Sequence, residues 1–381
     1  MLLGSMDPPV EIEKLSAGVQ RILGPSAPAP MRLMSAKGLA PGLKPYEALT
    51  VIAVLSQSGD EAIASAAQTT LGKLPPQLLA GALTGDLPAG VLGLVAPLYA
   101  QNAAVMEKIL AHPAISAATV AAAAAAADEA VAELVATNEQ RLLAHPEIIE
   151  KLYMNRATRM STADRILELA VRNKIELKGI PAYKEAAAAI GQELIAEPSR
   201  EPTPDDILFR ETDAAARRSP VDAATEDTHR LDEETGDEIV QERFLPLHTR
   251  LAQMTNSQKI RRAMIGSASE RLLLVRDTNR LVASAAIKSP SIQENEVVRI
   301  SSSRTVSEDV LRIIATDREW TRSHQIKLNL VQNPRTPFAF AAKLVMHLRE
   351  HELKGLARSK NVTGAVAQAA RQQLIRKNIP V

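Results

Sequence analysis

The sequence predicts an all-α chain, an α-solenoid of stacked helical units in two lobes, and three observations predict it. First, a loop-and-helix phrase is written twice, as Leu152-Tyr-Met-Asn155-Arg-Ala-Thr158-Arg-Met160 and as Leu330-Val-Gln-Asn333-Pro-Arg-Thr336-Pro-Phe338. The register holds after each copy, with Ala163 matching Ala341 and Ile166 matching Leu344. Asn closing one helix, a tight turn, then Thr ahead of an apolar run describes a helix stop followed by a helix start. Recurrence of such a unit marks an array in which no unit buries its face alone. Second, Ile109-Leu-Ala-His112-Pro113-Ala-Ile115 recurs as Leu142-Leu-Ala-His145-Pro146-Glu-Ile148, and Pro just after a turn fits the first helical position. Third, apolar residues make up 46% of the chain but aromatics only 2%, so the core must be Ala, Leu, Ile and Val. Small side chains bury little area each, and such a core needs many helices in contact.

The elements follow in order. Residues 1–195 read as consecutive short helices forming an N-terminal lobe. Ile12, Leu15, Val19 and Ile22 make one apolar stripe, ended by Gly24-Pro25. Pro45 opens a helix bearing Leu49, Ile52 and Leu55, and Asp60-Glu61 begins the next with acids at the positive end of its dipole. Pro75-Pro76 and Pro88 punctuate the following pair. The run Ala121 to Ala127 predicts a helix buried by close approach to its neighbours. Residues 196–240 are acidic and Pro-containing with few apolar groups, which predicts a disordered linker in which Asp205 to Arg210 form one amphipathic docking turn. From 241 to 381 the helical pattern resumes as a C-terminal lobe. There Thr255-Asn-Ser257 caps a helix, and Ser303-Arg-Thr-Val306-Ser307 is echoed by Ser359-Lys-Asn-Val362-Thr363, placing acceptors where orphan amides need them.

Asp317-Arg-Glu-Trp320-Thr-Arg322, followed by Leu330-Val-Gln-Asn333-Pro-Arg-Thr336-Pro337 and Leu344, resembles the leucine-rich repeat variant unit, a bacterial relative of HEAT and armadillo repeats. Leu356-Ala-Arg-Ser-Lys-Asn361-Val resembles the opening of the next unit. The resemblance covers about residues 275–375 and is pattern-level over 100–175. Spacings are irregular, and the Cys-rich cluster-binding segment of some relatives has no counterpart. The resemblance implies a curved HEAT-like interaction surface in the bacterial cytoplasm.

Composition narrows the chemistry. The chain has no Cys, which excludes disulfides, thiolate metal sites and cysteine nucleophiles. The N-terminus lacks the basic region of a secretory signal, and the longest apolar stretch, Leu87 to Ala100, holds two prolines and is too short to span a membrane. A cytoplasmic protein without a cofactor is expected. Formal charge divides sharply: −3 over residues 1–195, −9 over 196–240 and +13 over 241–381, for the net +1 of the whole chain. Arg261, Arg262, Arg271, Arg276 and Arg280 recur along successive helices of the basic lobe and are the candidate partner-binding residues. Their expected partner is an acidic protein or the chain's own acidic linker, with nucleic acid as the alternative through phosphate contacts. Base stacking is disfavoured, because residues 241–381 hold only Phe244, Trp320, Phe338 and Phe340 as aromatics.

One catalytic pattern matches by letter. His347-Leu-Arg-Glu350-His351 is an H-x-x-E-H zinc-peptidase phrase, which would set two His at i and i+4 on one helical face. A third ligand is wanted downstream, yet no Asp, Glu, His or Cys follows Glu352. Metal binding is therefore not expected. His112 and His145 precede Pro in equivalent turns and read as structural, as do Asp317 and Trp320 within the repeat phrase. The expected function is a non-enzymatic protein-interaction scaffold, ahead of a nucleic-acid-binding module and, remotely, a metallopeptidase.

Overall fold

A computed structural model describes residues 10–195, 197–199, 201–222, 226–232 and 236–379. The first nine residues, on which the leader reading rests, lie outside these. The described chain is all-helical, apart from one antiparallel hairpin of two three-residue strands, His229–Leu231 and Glu238–Val240, with His229 opposite Val240. Among the described residues no helix is long and apolar enough to cross a membrane.

The chain forms two compact units, Met1–Leu177 and Lys178–Val381. The division falls ahead of the one at residue 195 drawn from composition, for a packing reason. The helix Tyr183–Ile190 buries Ala186, Ala189 and Ile190, and it packs on the helices Asn256–Ile265 and Arg280–Ile287. Lys288 Nζ closes that contact at 2.6 Å from Glu185.

In the first unit the predicted punctuation operates as helix starts. Pro45 and Pro146 each sit at the first helical position, where their missing N–H costs nothing. Asp60 accepts from the amides of Ala62 and Ile63, and Asn102, Ser116, Asp128 and Asn138 cap later helices in the same way. The alanine run lies in the helix Ala117–Ala126, whose Val120, Ala123 and Ala124 are buried. That helix packs on Pro146–Met154, which supplies Ile148, Ile149 and Leu152. Missing side chains let the backbones approach, so close packing replaces large anchors.

The duplicated phrase has one structural role in both copies. Asn155 Nδ2 donates to the carbonyls of Ala124 (2.9 Å) and Ala127 (2.8 Å), while its Oδ1 accepts from Ala157 N. Asn333 Nδ2 donates to the carbonyls of Ser301 (3.0 Å) and Ser303 (2.7 Å), while its Oδ1 accepts from Arg335 N. Each Asn thus satisfies the last carbonyls of a helix about 30 residues upstream and braces its own turn. Neither Asn is left-handed: φ is −78° at Asn155 and −76° at Asn333, both extended. Asn is required at these positions for its two-sided amide.

His112 carries out the same two-sided role with a ring. Its Nδ1 accepts from Ala114 N at 3.1 Å, so the proton sits on Nε2, which donates to the Gly85 carbonyl at 3.0 Å. The equivalent His145 is exposed and lies 3.6 Å from Glu147. In that unit Arg141 reaches upstream instead, donating to the Leu110 carbonyl at 2.9 Å.

In the second unit, part of the segment read as a linker is folded. Pro204–Arg218 is a 15-residue helix with a Thr203 capping box, acids in its first turn and Arg217 and Arg218 in its last. Its sparse apolar groups are used efficiently: Phe209 is 4% exposed, and Ala216 is buried. Composition points to a solvated chain because it averages over the segment, whereas the helix buries one face of Asp206, Phe209, Thr212 and Ala216 and leaves Ile207 exposed. Residues 196, 200, 223–225 and 233–235 lie outside the described part of that segment.

Candidate functional site

The five nominated arginines are brought into one neighbourhood of the second unit, but not as a solvated face. Arg261 and Arg262 lie on the helix Asn256–Ile265 and are 0% and 1% exposed. Their guanidinium carbons stand 5.0 and 4.9 Å from the Phe209 ring centroid, so an aromatic from the acidic segment is covered by two cations. Arg262 Nε donates to Glu270 at 2.6 Å, and its Nη2 reaches Asp213 of the Pro204–Arg218 helix at 3.0 Å. Burial alone would push the Asp213 carboxyl up, but the guanidinium of Arg262 and that of Arg217 hold it below its usual range.

Arg271 is 4% exposed and forms a two-pronged pair with Glu296, at 2.9 Å from Nε and 2.7 Å from Nη2. Its Nη1 donates to the Gly266 carbonyl. Glu296 is fully buried and also accepts from Gln293 N, closing a capping box on the helix Glu294–Ser302. Arg276 bonds the Leu272 carbonyl, Asp227 at 2.9 Å and Glu238 at 3.3 Å. Arg280 alone matches the expected exposure: its side chain is 71% exposed and pairs with Asp309 at 2.8 Å. Four of the five arginines are therefore internal, and three of them, Arg262, Arg271 and Arg276, are counter-ions to acids of residues 204–240 or of neighbouring helices.

The hairpin is where the acidic segment meets the basic helices. Glu238, at the start of its second strand, is held by four donors. Ser303 Oγ (2.6 Å), Thr305 Oγ1 (2.9 Å) and Arg276 Nε reach one carboxylate oxygen, and the Arg304 amide (2.8 Å) reaches the other. Burial opposes ionisation, but these bonds and the Arg276 charge hold its carboxyl below the usual range. His229, on the facing strand, is pushed down to about 4 by burial first and then by Arg276, against the opposing pull of Asp227 and Glu238. The hairpin ends are tied by Gln241, whose amide reaches the Thr228 carbonyl, and by Arg243 to Glu226 at 2.7 Å.

The zinc-peptidase phrase is not assembled. The helix Phe338–Val345 ends before His347, and Glu350 begins a new helix, Glu350–Arg358, so His347 and His351 do not share a helical face. The expected i and i+4 geometry fails because the chain turns at Leu348-Arg349, where Leu348 is buried and the Arg349 amide donates to Glu352 of the next helix at 2.8 Å. Glu350 bonds Lys354, and among the described residues no group of three His, Cys, Asp or Glu could hold a metal. Asp317 accepts from Glu319 N and Trp320 N, and so caps the turn carrying Trp320. His324 pairs with Glu352 at 2.8 Å.

Sequence reasoning nominated the cations and the acidic segment as a partner, but none of the individual anions. Asp213, Asp227, Glu238, Glu270 and Glu296 complete the site, as do the hydroxyls of Ser303 and Thr305. The signal was the opposed charge of adjacent segments, −9 and +13, together with the duplicated Ser-x-x-Val turn. The geometry defines an all-helical protein with a buried arginine–carboxylate network and a tethered acidic hairpin. No family model matches the chain, and neither does any curated protein or solved structure.

Proposed function

We propose that this chain is a non-enzymatic protein-interaction scaffold built of HEAT-like helical units, with an acidic protein as its partner. The observation that carries this reading is the repeated Asn brace. Asn155 and Asn333 make the same pair of upstream carbonyl bonds and the same turn bond, in two separate units of the chain. A bracing residue reused at each step is what stacked repeats require, and stacked repeats offer an extended surface rather than a catalytic cleft. The acidic character of the partner is supported by the chain's own acids, which already occupy basic groups of the second unit.

The placement of the arginines counts against nucleic acid held directly on Arg262, Arg271 and Arg276 while the chain's own acids occupy them. Phosphate contacts need exposed cations, and Arg261, Arg262, Arg271 and Arg276 are internal. The test is capture of partners by the tagged full-length chain, with and without nuclease. Acidic proteins retained after nuclease treatment, and released as salt rises, are expected. Recovery lost on nuclease treatment would overturn the scaffold reading in favour of nucleic acid.

A further inference from the structure

We infer that the turn Ser303-Arg304-Thr305, together with Arg276, is a carboxylate-reading site for an acidic protein segment, and that Glu238 of the hairpin is its tethered occupant. The inference rests on the scaffold reading and names the place where that partner binds.

Four donors converging on one side chain are more than helix packing asks for. Glu238 receives two hydroxyls, one backbone amide and a guanidinium, although it lies 65 to 67 residues from the turn that holds it. The turn is shaped from behind: Asn333 Nδ2 donates to the Ser303 carbonyl, and Arg335 Nη1 lies 3.3 Å from the Thr305 carbonyl. The other braced copy provides a comparison within the chain. There Asn155 holds Ala127 in the place of Ser303, and no hydroxyl is present. The brace is thus common to both copies, and the Ser hydroxyl recurs at Ser359, whose Oγ accepts from Asn361 N as Ser303 Oγ accepts from Thr305 N, but the Thr305 hydroxyl and the carboxylate it holds belong to this turn.

The occupant is built to leave. Each strand is three residues long, Leu231 is 64% exposed, and the anchoring contacts are ionic or polar. A two-stranded hairpin contributes little stability of its own. The held group is a carboxylate on an extended strand, so the partner is a protein segment that offers Asp or Glu in extended form. Tethering gives the hairpin a high effective concentration, and the partner must outcompete it.

The probe is a fluorescent synthetic peptide of residues 226–242, added to the full-length chain. In wild type the tethered hairpin should keep binding at least about tenfold weaker than in the variant Asp227→Asn/Glu238→Gln. Hydrogen exchange at residues 229–231 and 238–240 should confirm that the hairpin of that variant is released. A second variant, Glu238→Lys, ejects the hairpin by repulsion from Arg276 and covers the case in which the first stays docked. In either released background, Ser303→Ala or Arg276→Gln should weaken the peptide at least about fivefold, as should Glu238→Gln within the peptide. Equal affinity for wild type and released chains would overturn the inference. So would a released, folded chain that ignores the peptide or does not distinguish its Gln form. Because the probe is the chain's own segment, such a failure leaves partner capture standing. Conversely, peptide binding with nuclease-sensitive capture would sink the scaffold reading and leave the cradle.

Discussion

Removing one half of the Arg271–Glu296 pair should be among the most damaging single changes to the second unit. Arg271→Met preserves length and apolar stem but leaves the Glu296 carboxylate, 0% exposed, with Gln293 N as its remaining described donor. It also strips a donor from the Gly266 carbonyl. Breaking a buried pair on one side costs about 3–5 kcal/mol, because an uncompensated charge is left inside. For a unit of roughly 200 residues each kcal/mol lowers the melting temperature by about 2–4 °C, so a fall of about 6–20 °C follows. Arg271→Met/Glu296→Leu removes both charges and should recover most of the loss, short of about 1 kcal/mol for the broken capping box. The assay is urea and thermal unfolding of the two singles and the double, at low and high salt. Coupling above about 2 kcal/mol is expected, and it should persist at 1 M salt because a buried pair is poorly screened. Singles that each cost under about 1 kcal/mol, or a double equal to their sum, would refute the view that this pair is an internal counter-ion set.

The remaining expectations concern the brace, the hairpin and the histidines. Asn155→Ala and Asn333→Ala should each cost about 1–3 kcal/mol by orphaning buried carbonyls, measured by urea unfolding; a loss below about 0.5 kcal/mol would make the repeated Asn incidental. The pH response of the hairpin follows from His229, whose depressed value of about 4 means that the docked state favours the neutral ring. Its contribution is fully present above the ordinary His value and is lost as pH falls towards 4, where Glu238 and Asp213 begin to lose theirs. Protection factors at residues 229–231, taken relative to the intrinsic exchange rate at each pH, should therefore fall between about pH 6.5 and 4, and His229→Gln should remove the upper part of that response. Protection factors unchanged across this window would refute the assignment. His347→Ala/His351→Ala should alter stability by no more than about 0.5 kcal/mol, since both side chains are exposed, and protein purified without a His tag should carry no stoichiometric zinc; tightly bound zinc lost in this variant would reverse the reading.

The helices were legible because their signals are local. Proline at first positions, the Asp60 and Thr255 caps and the alanine run each act within one turn and lie where the pattern puts them, whereas Ser307 and Thr363 stand at helix starts without a side-chain cap bond. The Asn duplication was legible as a repeat but not as a brace, because its acceptors lie about 30 residues upstream and carbonyls carry no sequence signature. The arginines were misplaced for a related reason. Spacing along Asn256–Ile265 identifies Arg261 and Arg262 as neighbours but cannot say that Phe209 and Asp213 cover them. A charged residue is ordinarily an exterior one, and only a partner distant in sequence reverses that. For the same reason the acidic segment read as a chain without a core: its core is supplied by residues 40 to 70 positions later.

These long loops of pairing impose an order on synthesis. Asp213, Asp227 and Glu238 leave the ribosome ahead of the groups that neutralise them, which follow at Arg262, Arg276 and Ser303. Until residue 262 emerges, the −9 charge of residues 196–240 lacks these counter-ions, and its self-repulsion opposes compaction. Arg262 and Arg276 each find a carboxylate already waiting, whereas Arg271 and Arg280 must wait for Glu296 and Asp309. A chain cut short between 240 and 260 would keep the negative charge and lose its complement.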